Sequence, residues 1–316
     1  MTGDPEAGRR SARLLRWYPD AWRRRYGDEL AALIEDELDG GRPTLGLRVS
    51  LARAGLAERA RDGGLVGDSR PAPVRVRAGA LVVLTGWAAP VVAGTAFAKT
   101  SEHFADSAPS GTLAAARGAF AAVVVLAAIG VVSVLTGAVV ALPAAAAHFR
   151  SGGWASVRGP ILRAAVVSAA AAMALVPLSA WAHHLDVAQR NGGDGAYTGA
   201  VAVWATLAVA GLALWTAAGV AWARRLELGV RVLRFEVALA VVVAVVTASL
   251  VVAVAVWWGA MARAAPWYLV GGAPGTHPLP MPRTLVTVES LLLAASVVAG
   301  WGVVLLARSW RSLPSA

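Results

Sequence analysis

Val237–Trp258 reads VALAVVVAVVTASLVVAVAVWW, 22 residues without a single charge. At the ~1.5 Å rise of an α-helix such a run crosses the ~30 Å hydrocarbon core of a bilayer. Five more runs read the same way: Ala78–Ala98, Gly118–Ala141, Ile161–Ala182, Thr198–Ala221 and Leu285–Ala307. The Ala-rich third run carries Pro177, which a membrane helix tolerates when neighbours satisfy the carbonyl that proline frees. The pattern predicts an all-α fold, a six-helix transmembrane bundle over residues 78–307. Gly130, Gly137, Ala208, Gly211 and Gly219 would let its helices pack closely.

Composition points the same way. The chain has 316 residues, 57% apolar and 15% charged, with a mean hydropathy of +0.60. A soluble domain carries about 25% charged residues, so too little charge is present here to cover a soluble surface. Cysteine is absent, which excludes thiol catalysis, disulfides and Cys-based zinc sites. No Gly-rich nucleotide loop, no His-Glu-x-x-His and no Gly-x-Ser-x-Gly occurs. The expectation is a non-enzyme with no cofactor and no resident metal.

The net charge is +10, and 28 of 29 basic residues are Arg. Charge and hydropathy are segregated along the chain, so the bilayer, not nucleic acid, accounts for the excess. Loops after runs two and four, with Arg163 at the inner end of the third run and the tail 308–316, hold nine Arg. Loops after runs one, three and five hold five Lys or Arg, and residues 1–77 add 15 Arg to the first side. The positive-inside rule then predicts a multi-pass plasma-membrane protein with both termini cytoplasmic. Trp222 and Trp310 fall at the inner interface, and Trp181, Trp257 and Trp258 at the outer one.

Residues 1–62 read as a cytosolic helical pair, with 63–77 as a linker rich in Gly, Pro, Asp and Arg. Tyr18-Pro19 opens the first helix, and Gly40-Gly41 stops it. Trp22, Tyr26, Leu30, Leu33 and Ile34 recur at helical spacing and predict its apolar stripe. Thr44 caps the second helix, whose apolar face is expected at Leu45, Val49, Ala52 and Leu56, before Gly63-Gly64. Arg23, Arg24 and Arg25 lie early in the first helix and Glu35, Asp36, Glu37 and Asp39 late. That order opposes the helix macrodipole and suggests an outside use for the charges.

The stretch Leu14–Leu30, LLRWYPDAWRRRYGDEL, resembles the N-terminal cytosolic segment of uncharacterised integral membrane proteins of high-GC, actinobacterial-type bacteria. It is also similar to the prefix segment ahead of permease domains in some ABC-type exporters. The resemblance rests on the Tyr-Pro, Trp-Arg and Arg-Tyr-Gly elements and covers under a tenth of the chain. Those permeases carry a large extracytoplasmic domain, whereas the outer loops here stay within about 25 residues. The resemblance implies no chemistry. Independently of it, the Trp22–Tyr26–Leu30 stripe beside three consecutive Arg makes Trp22, Arg23, Arg24, Arg25, Tyr26 and Leu30 a candidate partner or lipid surface, within a partner-binding segment 11–62.

Ionisable groups inside membrane runs are candidates by default. Glu289 lies about five residues into the sixth run, and Arg117 is the cation of similar depth on the outer side, so the two form a candidate ion pair. His183 and His184 are fallback partners. Arg163 and Glu236 sit at inner ends, within snorkelling reach of the interface. His103, His183, His184 and His277 fall on outer loops beside Glu102, Asp106 and Asp186, but no spacing repeats a metal-ligand set. Two functional classes follow: an accessory or regulatory membrane protein, or a transport permease subunit working with a separate ATPase.

Overall fold

A computed structural model describes residues 13–38, 43–66, 70–186, 189–226, 228–270 and 281–310. The expected stop at Gly40-Gly41 and His277 lie outside the described residues. The chain is all-α, with no strand among the described residues and six helices long and apolar enough to cross a membrane. It divides into two compact units, residues 1–78 with 308–313 and residues 79–307 with 314–316.

The first unit holds a helical turn at 13–15, α1 (Asp20–Leu38), α2 (Leu45–Asp62) and the start of α3 (Ala72–Gly86). The Pro19 carbonyl accepts from Arg23 N, so the helix begins where Tyr18-Pro19 predicts. Thr44 caps α2, its hydroxyl accepting from Leu47 N at 3.2 Å. At the other end Gly64 adopts φ +75°, a left-handed conformation that costs glycine nothing and closes the helix. Helix α3 starts at Ala72, earlier than the linker boundary at 77. Pro71 and Pro73 explain this, because proline fits a first turn whose N–H groups have no intrahelical partner.

In the second unit the first span, Ala72–Asp106, is broken at Trp87 into α3 and α4 (Ala88–Thr100). Pro90 sets the break: it lacks an N–H, and its ring crowds the carbonyl four residues back, at Gly86. The remaining spans lie in α5 (Ala114–Arg150), α6 (Trp154–His183), α7 (Gly195–Ala223), α8 (Val230–Ala264) and α10 (Met281–Trp310). A short α9 (Pro266–Val270) follows α8. Asp194 caps α7, accepting from Ala196 N and Tyr197 N at 2.9 and 3.1 Å.

Helix α8 is the centre of the unit. Leu233, Val237, Ala240, Val243, Val246, Leu250, Val254 and Trp257 are buried along one face, and this face packs on α5. Helices α6 and α7 form a second pair, tied by Trp204 Nε1 donating to the Ala171 carbonyl and Trp215 Nε1 donating to Ser168 Oγ, both at 3.0 Å. Only 6% of the α7 span is buried, so most of its apolar surface is left for lipid. Glycines set the close approaches. A Cβ on Gly302 would lie 2.6 Å from Val83 Cγ2 and 3.1 Å from the Gly79 carbonyl, so α3 and α10 touch through backbone. Gly219 has nothing within 4 Å of such a Cβ and serves no close contact.

Candidate functional site

The first unit has its own small core. Leu15, Tyr18, Ile34 and Leu51 are buried, with Leu14, Trp22, Leu30, Ala31 and Leu47 packed against them. Tyr18, Trp22 and Tyr26 pack in series as tilted rings, with centroids 4.2 and 5.3 Å apart. Burial, with Glu58 adding to it, pushes the Tyr18 phenol up. Of the six residues expected at a partner or lipid surface, Trp22 and Leu30 therefore face inward. Arg23, Arg24, Arg25 and Tyr26 remain exposed. Arg23 pairs with Asp20, and that hydrogen bond and charge hold the Asp20 carboxyl below its ordinary range. The Arg25 guanidinium lies 5.1 Å from the Tyr26 ring centre.

Helix α2 turns the expected apolar row outward. Its inner face is Leu47, Leu51 and Gly55, while Leu45, Val49 and Leu56 are 77%, 59% and 52% exposed. Gly55 explains the choice. Its missing side chain lets the Trp17 backbone come so close that a Cβ would lie 2.8 Å from Trp17 C. From the next turn, Arg59 donates to the Trp17 carbonyl at 2.5 Å and to the Arg16 carbonyl at 2.6 Å. These are carbonyls at the end of the first helical turn, which lack intrahelical donors. The hydrophobic pattern of α2 carries two stripes, and Gly55 with Arg59 selects between them.

In the second unit the expected Arg117–Glu289 pair is not formed: no ion pair joins the two residues. Helix α5 turns Ala116 and Ala119 inward, which leaves Arg117 exposed, and Glu289 Oε2 is buried without a hydrogen-bond partner. His183 and His184 are exposed. Among the described residues the most enclosed carboxylate is Glu236, only 7% exposed. It does not snorkel; it sits against Gly137 of α5, where a Cβ would meet Oε2 at 3.0 Å. Arg163, by contrast, is exposed. Glutamine has nearly the same shape as glutamate and carries no charge to desolvate. Glu236→Gln is therefore expected to leave the thermal midpoint in detergent unchanged or slightly raised. A fall of several degrees would show that the seam depends on the carboxylate itself.

Near the C-terminal end of α8, Trp257 is fully buried among Phe97, Phe104 and Phe120, with Phe97 edge-on at 5.0 Å, so its ring faces protein and not lipid. The Tyr268 hydroxyl of α9 lies 3.0 Å from the Thr100 carbonyl and 2.6 Å from that of Glu102, tying α9 to the end of α4. Burial, then the charge of Glu102, pushes its phenol up, so it stays a donor. His103 faces Asp106 at 3.5 Å, both widely exposed. Among the described residues no three His, Asp or Glu gather around one ion position. Comparison with family models, curated proteins and solved structures finds no match to this chain.

Proposed function

We propose that this chain is a non-enzymatic accessory or regulatory protein of the plasma membrane, with both termini cytoplasmic, whose first unit meets a cytosolic protein through α1. The observation that carries the reading is the split use of the Leu14–Leu30 motif. Leu15, Tyr18, Trp22 and Leu30 build the unit's own core, and Arg24, Arg25, Tyr26, Asp28 and Glu29 are left on its surface. A segment that only tethered the spans would need no such core. The cytoplasmic placement is supported by the concentration of Arg in residues 1–77 and in alternate loops. The resemblance to prefix segments supports the same reading.

The test is site-specific photocrosslinking in cells at Arg24 and Tyr26, with Gly219 in the bilayer as reference. One dominant protein adduct is expected from both α1 positions, absent at Gly219 and reduced at least several-fold by Arg25→Glu. Adducts with lipid only, or none, would overturn the proposal. A crosslinked ATPase subunit would move the reading to a transport permease.

A further inference from the structure

The unexplained feature of the first unit is the outer face of α2. Leu45, Val49, Ala52 and Leu56 follow one another at steps of four, three and four residues, so they lie within about 60° of one another around the helix. Three large apolar side chains are thus more than half exposed on one line. Arg48 and Arg53 flank that line, both exposed. Beside it, Arg13, Arg16 and Arg48 ring a groove of about 520 Å³ floored by Trp17, Val49 and Ala52. The acids of α2 are placed elsewhere: Glu58 pairs with Arg61, and Asp62 with Arg70. The stripe is apolar in the middle and purely cationic at its edges.

We infer that this face of α2 docks on an anionic phospholipid surface, with Leu45, Val49 and Leu56 entering the acyl boundary and Arg13, Arg16, Arg48 and Arg53 meeting lipid phosphates. A helix with an apolar line and basic flanks binds in the interfacial plane by both effects together. Charge complementarity selects α2 over α1, whose Asp28, Glu29, Glu35, Asp36 and Glu37 an anionic surface repels. Chain length supplies the proximity. Residues 63–71 separate α2 from the start of the first span, so α2 ends within about 35 Å of it. The two helices then divide the work, α2 on lipid and α1 toward protein. The inference rests on the cytoplasmic placement proposed above. Testing it in nanodiscs, which leave both faces of the bilayer open, separates a failure of docking from a failure of topology.

The full chain contains no cysteine, so single nitroxide labels at Val49→Cys, Leu56→Cys and, as reference, Leu33→Cys on the exposed side of α1 report without background. Collision with oxygen, which favours lipid, is compared with collision with a water-soluble nickel complex. In phosphatidylglycerol nanodiscs, labels at 49 and 56 are expected to become oxygen-rich and nickel-poor while the label at 33 does not. Added salt and phosphatidylcholine discs should each weaken the shift. Arg48→Gln with Arg53→Gln should weaken docking by roughly 30-fold, from two lost basic side chains. Identical ratios at all three positions in phosphatidylglycerol, or insensitivity to lipid charge, would overturn the inference. Low collision with both oxygen and nickel at 49 and 56 would assign the face to protein and overturn it equally.

Discussion

Gly130→Leu is expected to leave little folded protein, and even Gly130→Ala should lower stability by more than about 2 kcal/mol, at the upper end for overpacked cores. A Cβ at this position would lie 2.1 Å from Trp87 Cη2 and 2.2 Å from Cζ2, far inside van der Waals contact. The ring has no easy retreat, because Trp87 is only 6% exposed and stands at the break between α3 and α4. Moving it means moving the whole first span against α5. Trp87→Ala alone should cost about 3–5 kcal/mol through the cavity it leaves. The double substitution should recover much of the Gly130→Ala loss, since the methyl then has room. The measurement is a double-mutant cycle on denaturant unfolding in detergent, with Gly219→Ala as a neutral control. Additivity within about 0.5 kcal/mol would show that the two residues do not share this contact.

Gly55→Ala should have a comparable effect confined to the first unit. The new methyl would lie 2.7 Å from Trp17 Cβ and 2.8 Å from its carbonyl carbon, and backbone cannot rotate away as a side chain can. Separating the chains would also stretch the Arg59 hydrogen bonds to Arg16 and Trp17. A core of four buried side chains supplies only a few kcal/mol, so losing about 2 is enough to open it. Limited proteolysis of the full chain should show residues 13–62 cut many-fold faster, with the spans still protected by detergent. Gly46→Ala, whose nearest neighbour would be 4.0 Å away, should change nothing. Arg59→Ala should fall between the two, because it leaves two carbonyls without their donor at about 1–3 kcal/mol for a buried group and less where water enters. Equal protease resistance in Gly55→Ala and Gly46→Ala would refute the close crossing.

The six spans were legible because a membrane helix announces itself by length and lack of charge, both local properties. The caps at Thr44 and the start after Pro19 were legible for the same reason: a hydroxyl reaching the third N–H and a fixed φ need only neighbours in sequence. The site was less legible. The motif around Tyr18-Pro19 marked the right segment, yet its Trp22 and Leu30 proved to be core. In α2 the apolar face expected at Leu45, Val49, Ala52 and Leu56 is the outer one, since that row and the row through Leu47 and Leu51 are both apolar at helical spacing. Periodicity gives the faces of a helix but not which of two faces meets a neighbour.

The sequence by itself determined that this is an all-α membrane protein with six spans, that an Arg-rich helical segment precedes them, and where the two helices of that segment, α1 and α2, begin. Tertiary structure decided which groups meet. Glu236 went into the seam at Gly137 while Arg117 stayed exposed and Glu289 without it, and Trp257 went into an aromatic cluster. The physical reason is range. Hydropathy and capping act within a few residues along the chain, whereas a buried carboxylate or ring is placed by the shape of a partner far away in sequence, here a glycine on another helix.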